Sequence, residues 1–128
     1  MKISIVTTVR NKADTVGAAM ESVVSQRLNG FELEYIVIDG ASTDGTEEII
    51  KNEEARMKNR EMRGFSFRWI SEPDCGMYDG INKGIRMATG DVIGTLNADD
   101  VLSDDRVIER VAGSFSGSSF FVLVPEAT

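Results

Sequence analysis

Asp91-Val92-Ile93-Gly94-Thr95-Leu96-Asn97-Ala98-Asp99-Asp100 is an apolar run that ends abruptly in one amide and two carboxylates. Five residues of β-branched and aliphatic character are too short for a helix and fit a strand covered on both faces. Strands of that kind belong to parallel sheets, where ligands bind beyond the carboxyl ends. Asp99 and Asp100 then stand where a ligand would sit. Adjacent carboxylates repel, and a divalent oxygen-liganded cation, Mg²⁺ or Mn²⁺, relieves that repulsion. The doublet has a second reading, as turn residues capping a helix that begins near Ser103 or Asp104.

The same grammar recurs upstream. Residues 2–9, Lys-Ile-Ser-Ile-Val-Thr-Thr-Val, form a strand that ends at Arg10-Asn11. Residues 33–38 form another, ending at Asp39-Gly40, and residues 65–70 a third, followed by Glu72-Pro73-Asp74. Helical stripes lie between them. Val16, Ala19, Met20, Val23, Val24 and Leu28 recur at helical spacing within residues 14–28. Asp44-Gly45-Thr46-Glu47 has the form of a capping box and opens a helix to about Asn59. Met77, Ile81, Ile85 and Ala88 set the next stripe, with Gly80 and Gly84 on a neighbouring face. Glycines inside a helix cost roughly 1 kcal/mol each, so their presence predicts a close approach by another element. A last helix carries Val107, Ile108, Val111 and Phe115 inward, and Phe120–Val124 reads as a final strand.

The order βαβαβαβαβ, with short connections, predicts an α/β fold. Its sheet is mostly parallel and doubly wound, with helices on both faces. The chain of 128 residues is read as one domain, 1–128. Four strand ends then face one crevice rich in carboxylates.

Composition narrows the chemistry. Net charge is −7, which disfavours nucleic acid and anionic membrane faces as partners. With no histidine, Ser-His-Asp hydrolysis and histidine-based zinc chemistry are excluded within this chain. No apolar run approaches the roughly 18 residues of a membrane span. The start at Met1-Lys2-Ile3-Ser4 lacks a signal-peptide cleavage site, and the single cysteine, Cys75, cannot form an internal disulfide. Both fit a cytoplasmic location. Trp69 reads as core and the Lys58-to-Arg63 cluster as a solvated face. Tyr78 has two readings, packing or stacking on a ligand.

Asp39 closes its strand, and turn chemistry does not account for it as it accounts for Asp44. A carboxylate there can accept a ring N–H from a base. Uracil offers one, as does guanine, while cytosine does not.

Four segments together resemble family 2 glycosyltransferases of the GT-A fold. They are Ile3-Ser4-Ile5-Val6-Thr7-Thr8-Val9-Arg10-Asn11, the run Tyr35 to Thr46, the run Ser71 to Gly84, and Ala88 to Asp100. The likeness covers roughly residues 2 to 112. It implies a Rossmann-like, nucleotide-sugar-binding portion of such an enzyme, acting on a UDP-sugar in polysaccharide or glycoconjugate biosynthesis. By resemblance, Thr8, Val9 and Arg10 line the nucleotide and Asp39 meets the base, with Asp44 in the same loop. Asp74 and the helix start up to Lys83 face the nucleotide and diphosphate. Asn97-Ala98-Asp99-Asp100 matches the family's Asp-x-Asp metal motif, with asparagine at its first position. Asp99 and Asp100 then divide ribose and metal contacts between them.

In this family the general base and the acceptor pocket lie beyond the metal motif. The catalytic residues are therefore unknown. Neither Glu109 nor Glu126 is singled out by its spacing, and the tail from Ser116 does not resemble the family's usual continuation. The sequence reads as a truncated GT-A domain lacking the acceptor half, the alternative being a UDP- and metal-binding module without transfer. The implied partners are a nucleotide-sugar donor and an acceptor glycan or lipid-linked saccharide. A bare sheet edge predicts self-association as a homodimer, and a peripheral membrane contact stays open.

Overall fold

The structure, a computed structural model, describes residues 1–60, 62–114 and 119–120. The expectations at Phe115, at residues 121–124 and at Glu126 lie outside the described residues. The chain runs β1 (Lys2–Val9), α1 (Val16–Val24), β2 (Glu32–Asp39), α2 (Thr46–Lys58), β3 (Phe65–Ser71), α3 (Met77–Met87), β4 (Val92–Thr95), α4 (Val107–Gly113) and β5 (Ser119–Phe120). The sheet has the order β3-β2-β1-β4-β5, and every pairing is parallel.

The two faces of the sheet bury different residues because strand side chains alternate. Ile3 and Ile5 of β1 and Leu33, Tyr35 and Val37 of β2 join one core with Val16, Met20 and Val23 of α1, Ile50 of α2 and Ile108 of α4. Val6, Ile36 and Ile38 form the opposite cluster, against Met87 and Ala88 of α3 and its following turn. Helices therefore cover both faces, and the strands read as apolar runs because both sides are buried.

Several local expectations are corrected. The first helix is shorter than residues 14–28. Its end is set at Val24 because the Arg27 N–H donates to Asp105 O at 2.8 Å and the Gln26 amide donates to Asp104 O at 2.6 Å, drawing the chain toward the α4 segment. The capping box does not form. Gly45, at φ 94°, is the N-cap, and the Asp44 carboxylate accepts from the Thr46 N–H (3.1 Å), the Thr46 hydroxyl (2.5 Å) and the Ala13 N–H (3.0 Å). Glu47 pairs instead with Lys51 at 3.6 Å. The last helix begins only at Val107, with Arg106 as N-cap, because the Asp104 carboxylate takes the Arg106 N–H at 2.8 Å.

The third helix differs in its buried face. Met77 is exposed, Ile81 and Ile85 are half-buried, and Gly80 and Gly84 are the buried positions. A Cβ at Gly84 would overlap Val6 Cγ1, and one at Gly80 would stand 3.0 Å from Thr8 Cγ2. The approach predicted by the two glycines is that of β1 itself.

At the amino-terminal end of the sheet, Glu34 is 3% exposed. Its carboxylate accepts from the Ser4 hydroxyl (2.7 Å), the Thr89 N–H (2.8 Å) and the Thr89 hydroxyl (3.0 Å), with Arg68 at 3.2 Å. Burial works against its charge, but these donors and Lys2 hold it below the ordinary glutamate value. A depressed carboxylate stabilises the fold above its unfolded pKa, and that stabilisation is lost as pH falls through the folded value. Glu34→Gln is expected to cost about 2 kcal/mol at pH 7. The gap to wild type should close in thermal melts taken below about pH 4. A gap independent of pH would contradict this role.

Candidate functional site

Parallel pairing brings the ends of β1, β2, β3 and β4 to one edge. Val9 pairs with Asp39, and Asp39 with Ser71. A cavity of about 320 Å³ opens at this edge. Thr8, Val9, Arg10 and Lys12 line it from β1 and the loop after it. Asp74, Gly76 and Met77 line it from the segment between β3 and α3, and Asn97, Ala98 and Asp99 from the turn after β4.

The β4 turn presents its polar groups by alternation. Leu96 and Ala98 are buried in the core, at 1% and 4% exposure, while Asn97 and Asp99 are exposed. The Asp100 N–H donates to Asn97 O at 3.1 Å, closing the turn, and Leu102 is buried again. Since α4 starts at Val107, neither Asp99 nor Asp100 caps it. That removes the helix-cap reading of the doublet. Asp99 lines the cavity; Asp100, half-buried, does not.

Asp74 is set by two glycines. A Cβ at Gly40 would stand 2.8 Å from Asp74 Oδ2, and one at Gly80 would stand 3.4 Å from the same atom. The other oxygen accepts the Gly76 N–H at 3.1 Å. Any side chain at Gly40 would push the carboxylate out of the place it shares with the end of β2.

The β1–α1 loop is locked onto the β2–α2 loop. Asn11, at φ 52°, donates its N–H to Ser42 Oγ at 2.8 Å and accepts the Thr43 N–H at 2.8 Å. Asparagine tolerates this left-handed backbone better than most residues. Asn11 lies between Arg10 and Lys12, so the lock holds the backbone that carries the two cations lining the cavity. Lys12 escaped the sequence reading. Its adjacency to Arg10-Asn11 was the available signal.

Three further residues named from the sequence lie outside the cavity lining. Asp39 is fully buried and accepts from the Ser42 hydroxyl at 2.5 Å and the Ser71 hydroxyl at 2.8 Å. Asp44 is held below its usual value, first by the Thr46 hydroxyl and then by the Ala13 N–H. Lys83 donates to Pro73 O at 3.0 Å and pairs with Glu72 (3.2 Å) and Asp79 (3.6 Å), which fastens the loop before α3. Burial opposes its charge, but Glu72 and Asp79 hold it above the ordinary lysine value. Glu109 lies in the first turn of α4 and does not line the cavity either.

The donor set was tested against a divalent cation. Among the described residues, no three histidine, cysteine, aspartate or glutamate side chains cluster as a closed metal cage. Asp99, with Asn97 beside it, offers oxygen ligands on an open wall. That fits a cation such as Mg²⁺ or Mn²⁺, which takes one or two carboxylates and completes its shell with water and phosphate oxygens.

Against known proteins, the sequence profile described as Glycosyl transferase family 2 matches residues 4–124. The chain belongs to glycosyltransferase family 2. An uncharacterized glycosyltransferase of Mycobacterium tuberculosis (strain H37Rv) is 35% identical over 115 residues, which are 90% of this chain and 40% of that protein. A PGL/p-HBAD biosynthesis glycosyltransferase of the same strain is 32% identical over 109 residues, covering 85% and 40%. This family 2 chain therefore spans about 40% of the length of those relatives. Among solved structures, Staphylococcus aureus TarS 1-349 in complex with UDP-GlcNAc superposes with a TM-score of 0.71 at 19% identity, over 88% of this chain and 30% of that one. A mannosyltransferase from Pyrobaculum calidifontis, in complex with GDP-Man and Mn²⁺, gives 0.69 at 19% identity, over 86% and 31%. These two share the fold. Among the described residues, no helix is long and apolar enough to cross a membrane.

Proposed function

We propose that this chain is the donor-binding portion of a glycosyltransferase that moves a sugar from a UDP-sugar to an acceptor glycan or lipid-linked saccharide. One observation carries the reading. A single cavity at the carboxyl edge of the sheet is lined by two cations, Arg10 and Lys12, and two carboxylates, Asp74 and Asp99. A diphosphate calls for the first pair, and the cation that accompanies it calls for the second.

In this reading Asp99 holds Mg²⁺ or Mn²⁺ with Asn97 beside it, and Asp100 braces the turn. A cation held there would supply positive charge to a departing diphosphate. Arg10 and Lys12 hold and orient the phosphates through charge-assisted bonds, kept in place by Asn11. Asp74 meets the nucleotide side of the cavity. Asp39, fully buried and bound by Ser42 and Ser71, supports the base only through the loop it anchors. Asp74, which lines the cavity, supplies the carboxylate that a ring N–H requires. Lys83 and Asp44 act on the loops rather than on the phosphates. The family relationship, the UDP-GlcNAc complex of TarS and the Mn²⁺ complex of the mannosyltransferase support this assignment.

With Mn²⁺ present, UDP is expected to bind at least about tenfold tighter than CDP, since cytosine lacks the ring N–H. Thermal shift or calorimetry with both nucleotides measures this, and equal affinities would contradict a carboxylate-read base. The same reading implies a cytoplasmic location and a role in polysaccharide or glycoconjugate biosynthesis. It also carries forward self-association as a dimer. β3 is an outer strand of the sheet, and pairing through it predicts a dimer by light scattering. A monomer at all concentrations would refute the dimer.

A further inference from the structure

Among the described residues, two non-glycine residues hold a left-handed backbone, Asn11 at φ 52° and Ala41 at φ 59°. Alanine has no polar side chain to stabilise that conformation, so its surroundings must impose it. The two residues stand in different loops, and one side chain joins the loops. Ser42 follows Ala41, and its hydroxyl donates to Asp39 Oδ1 at 2.5 Å while accepting the Asn11 N–H at 2.8 Å. The Ser42 N–H also faces both Asp39 oxygens, at 3.4 Å. The Thr43 N–H then donates to Asn11 Oδ1 at 2.8 Å.

Asp39 is the fixed end of this chain of bonds. It is fully buried at the last position of β2, and its other oxygen accepts the Ser71 hydroxyl at 2.8 Å from the end of β3. The other end is the β1–α1 loop, where Arg10 and Lys12 line the cavity on either side of Asn11. A hydroxyl that donates to a carboxylate becomes a better acceptor, so the two bonds at Ser42 Oγ reinforce each other. Loss of that hydroxyl breaks both at once. The strained backbone thus lies in the segment that carries the two cations and in the loop that grips it.

We propose, resting on the donor-site reading above, that Ser42 is a positioning residue that ties the backbone of residues 10–12 to buried Asp39 and so sets where Arg10 and Lys12 meet the diphosphate. Ser42 touches no part of the nucleotide itself. Its effect falls on the phosphates, while the base is met by Asp74, which this relay does not reach.

Titration of amide chemical shifts in Mn²⁺, with UDP and with uridine, tests the relay and reaches weak ligands. Ser42→Ala is expected to weaken UDP about tenfold and uridine less than about twofold. Ser42→Thr keeps the hydroxyl and should hold UDP within about threefold of wild type. Asn11→Gly keeps the left-handed backbone and deletes the acceptor of the Thr43 N–H, so this second cut should also weaken UDP more than uridine. In an Arg10→Ala background, Ser42→Ala should cost UDP no more than about threefold, because part of what it positions is gone. Equal losses for UDP and uridine, or a full tenfold loss in both backgrounds, would overturn the relay. UDP binding that ignores Ser42 would overturn it alone, whereas a wild-type chain that binds no UDP overturns the donor site and the relay together.

Discussion

Asp99→Ala is expected to abolish the Mn²⁺-dependent part of UDP binding, a loss of at least about thirtyfold, or ~2 kcal/mol. Asp99 is the carboxylate that the β4 turn exposes to the cavity, while buried Leu96 and Ala98 hold the turn on either side. Asp100 is half-buried and does not line the cavity, so Asp100→Ala should cost distinctly less. Arg10→Ala should behave differently from both. It removes a phosphate partner, so binding should weaken with and without metal. Calorimetry of the three variants, each with and without Mn²⁺, separates the roles. Equal losses in Asp99→Ala and Asp100→Ala would mean that the two carboxylates share the cation, against the geometry of the turn.

The second large effect is on stability. Gly84→Ala is expected to destabilise the fold by about 3 kcal/mol, even though alanine is the better helix former. The new methyl would overlap Val6 Cγ1 and stand 3.0 Å from Cγ2, and Val6 lies in a fully paired central strand with 1% exposure. Nothing on that side can give without moving β1 or lifting α3. A drop of about 10 °C in melting temperature follows for a chain of this size. Gly17→Ala is the control. Its methyl would meet Ile49 Cγ2 at 3.4 Å, an ordinary contact, so its melting temperature should stay level or rise slightly. Parallel thermal melts decide the matter. A Gly84→Ala chain as stable as wild type would mean that α3 is free to shift, and its first turn could not then serve as a fixed wall of the cavity.

The parallel sheet was legible because strands buried on both faces are mostly apolar, as Ile3–Val9 and Leu33–Ile38 are apart from Ser4, Thr7, Thr8 and Glu34. The α1 stripe was legible from its helical spacing, whereas α2 was placed by a capping box that does not form. The inward face of α3 was not legible. A search for apolar spacing picks Met77 and Ile81, whereas this helix packs by backbone approach, through Gly80 and Gly84. The two glycines carried the correct message, that something comes close, without naming β1. At the site, the strand-end rule located Thr8, Val9, Arg10, Asp74, Asn97 and Asp99 on what the fold makes one cavity wall. It did not foresee Asp39 bound by Ser42 and Ser71, or Lys83 fastened to Glu72 and Pro73. Those partners are set by how loops meet in space, and no local spacing encodes them. Lys12 was passed over because a lone lysine in a polar loop has no periodic signature. Only the left-handed turn at Asn11 gives it a fixed place.

The most direct measurement is calorimetry of UDP with the wild-type chain, in Mn²⁺ and then in excess chelator. The donor-site account predicts saturable binding at one site, weakened at least about thirtyfold when the metal is removed. UDP binding that is indifferent to metal, or no binding in Mn²⁺, would contradict it.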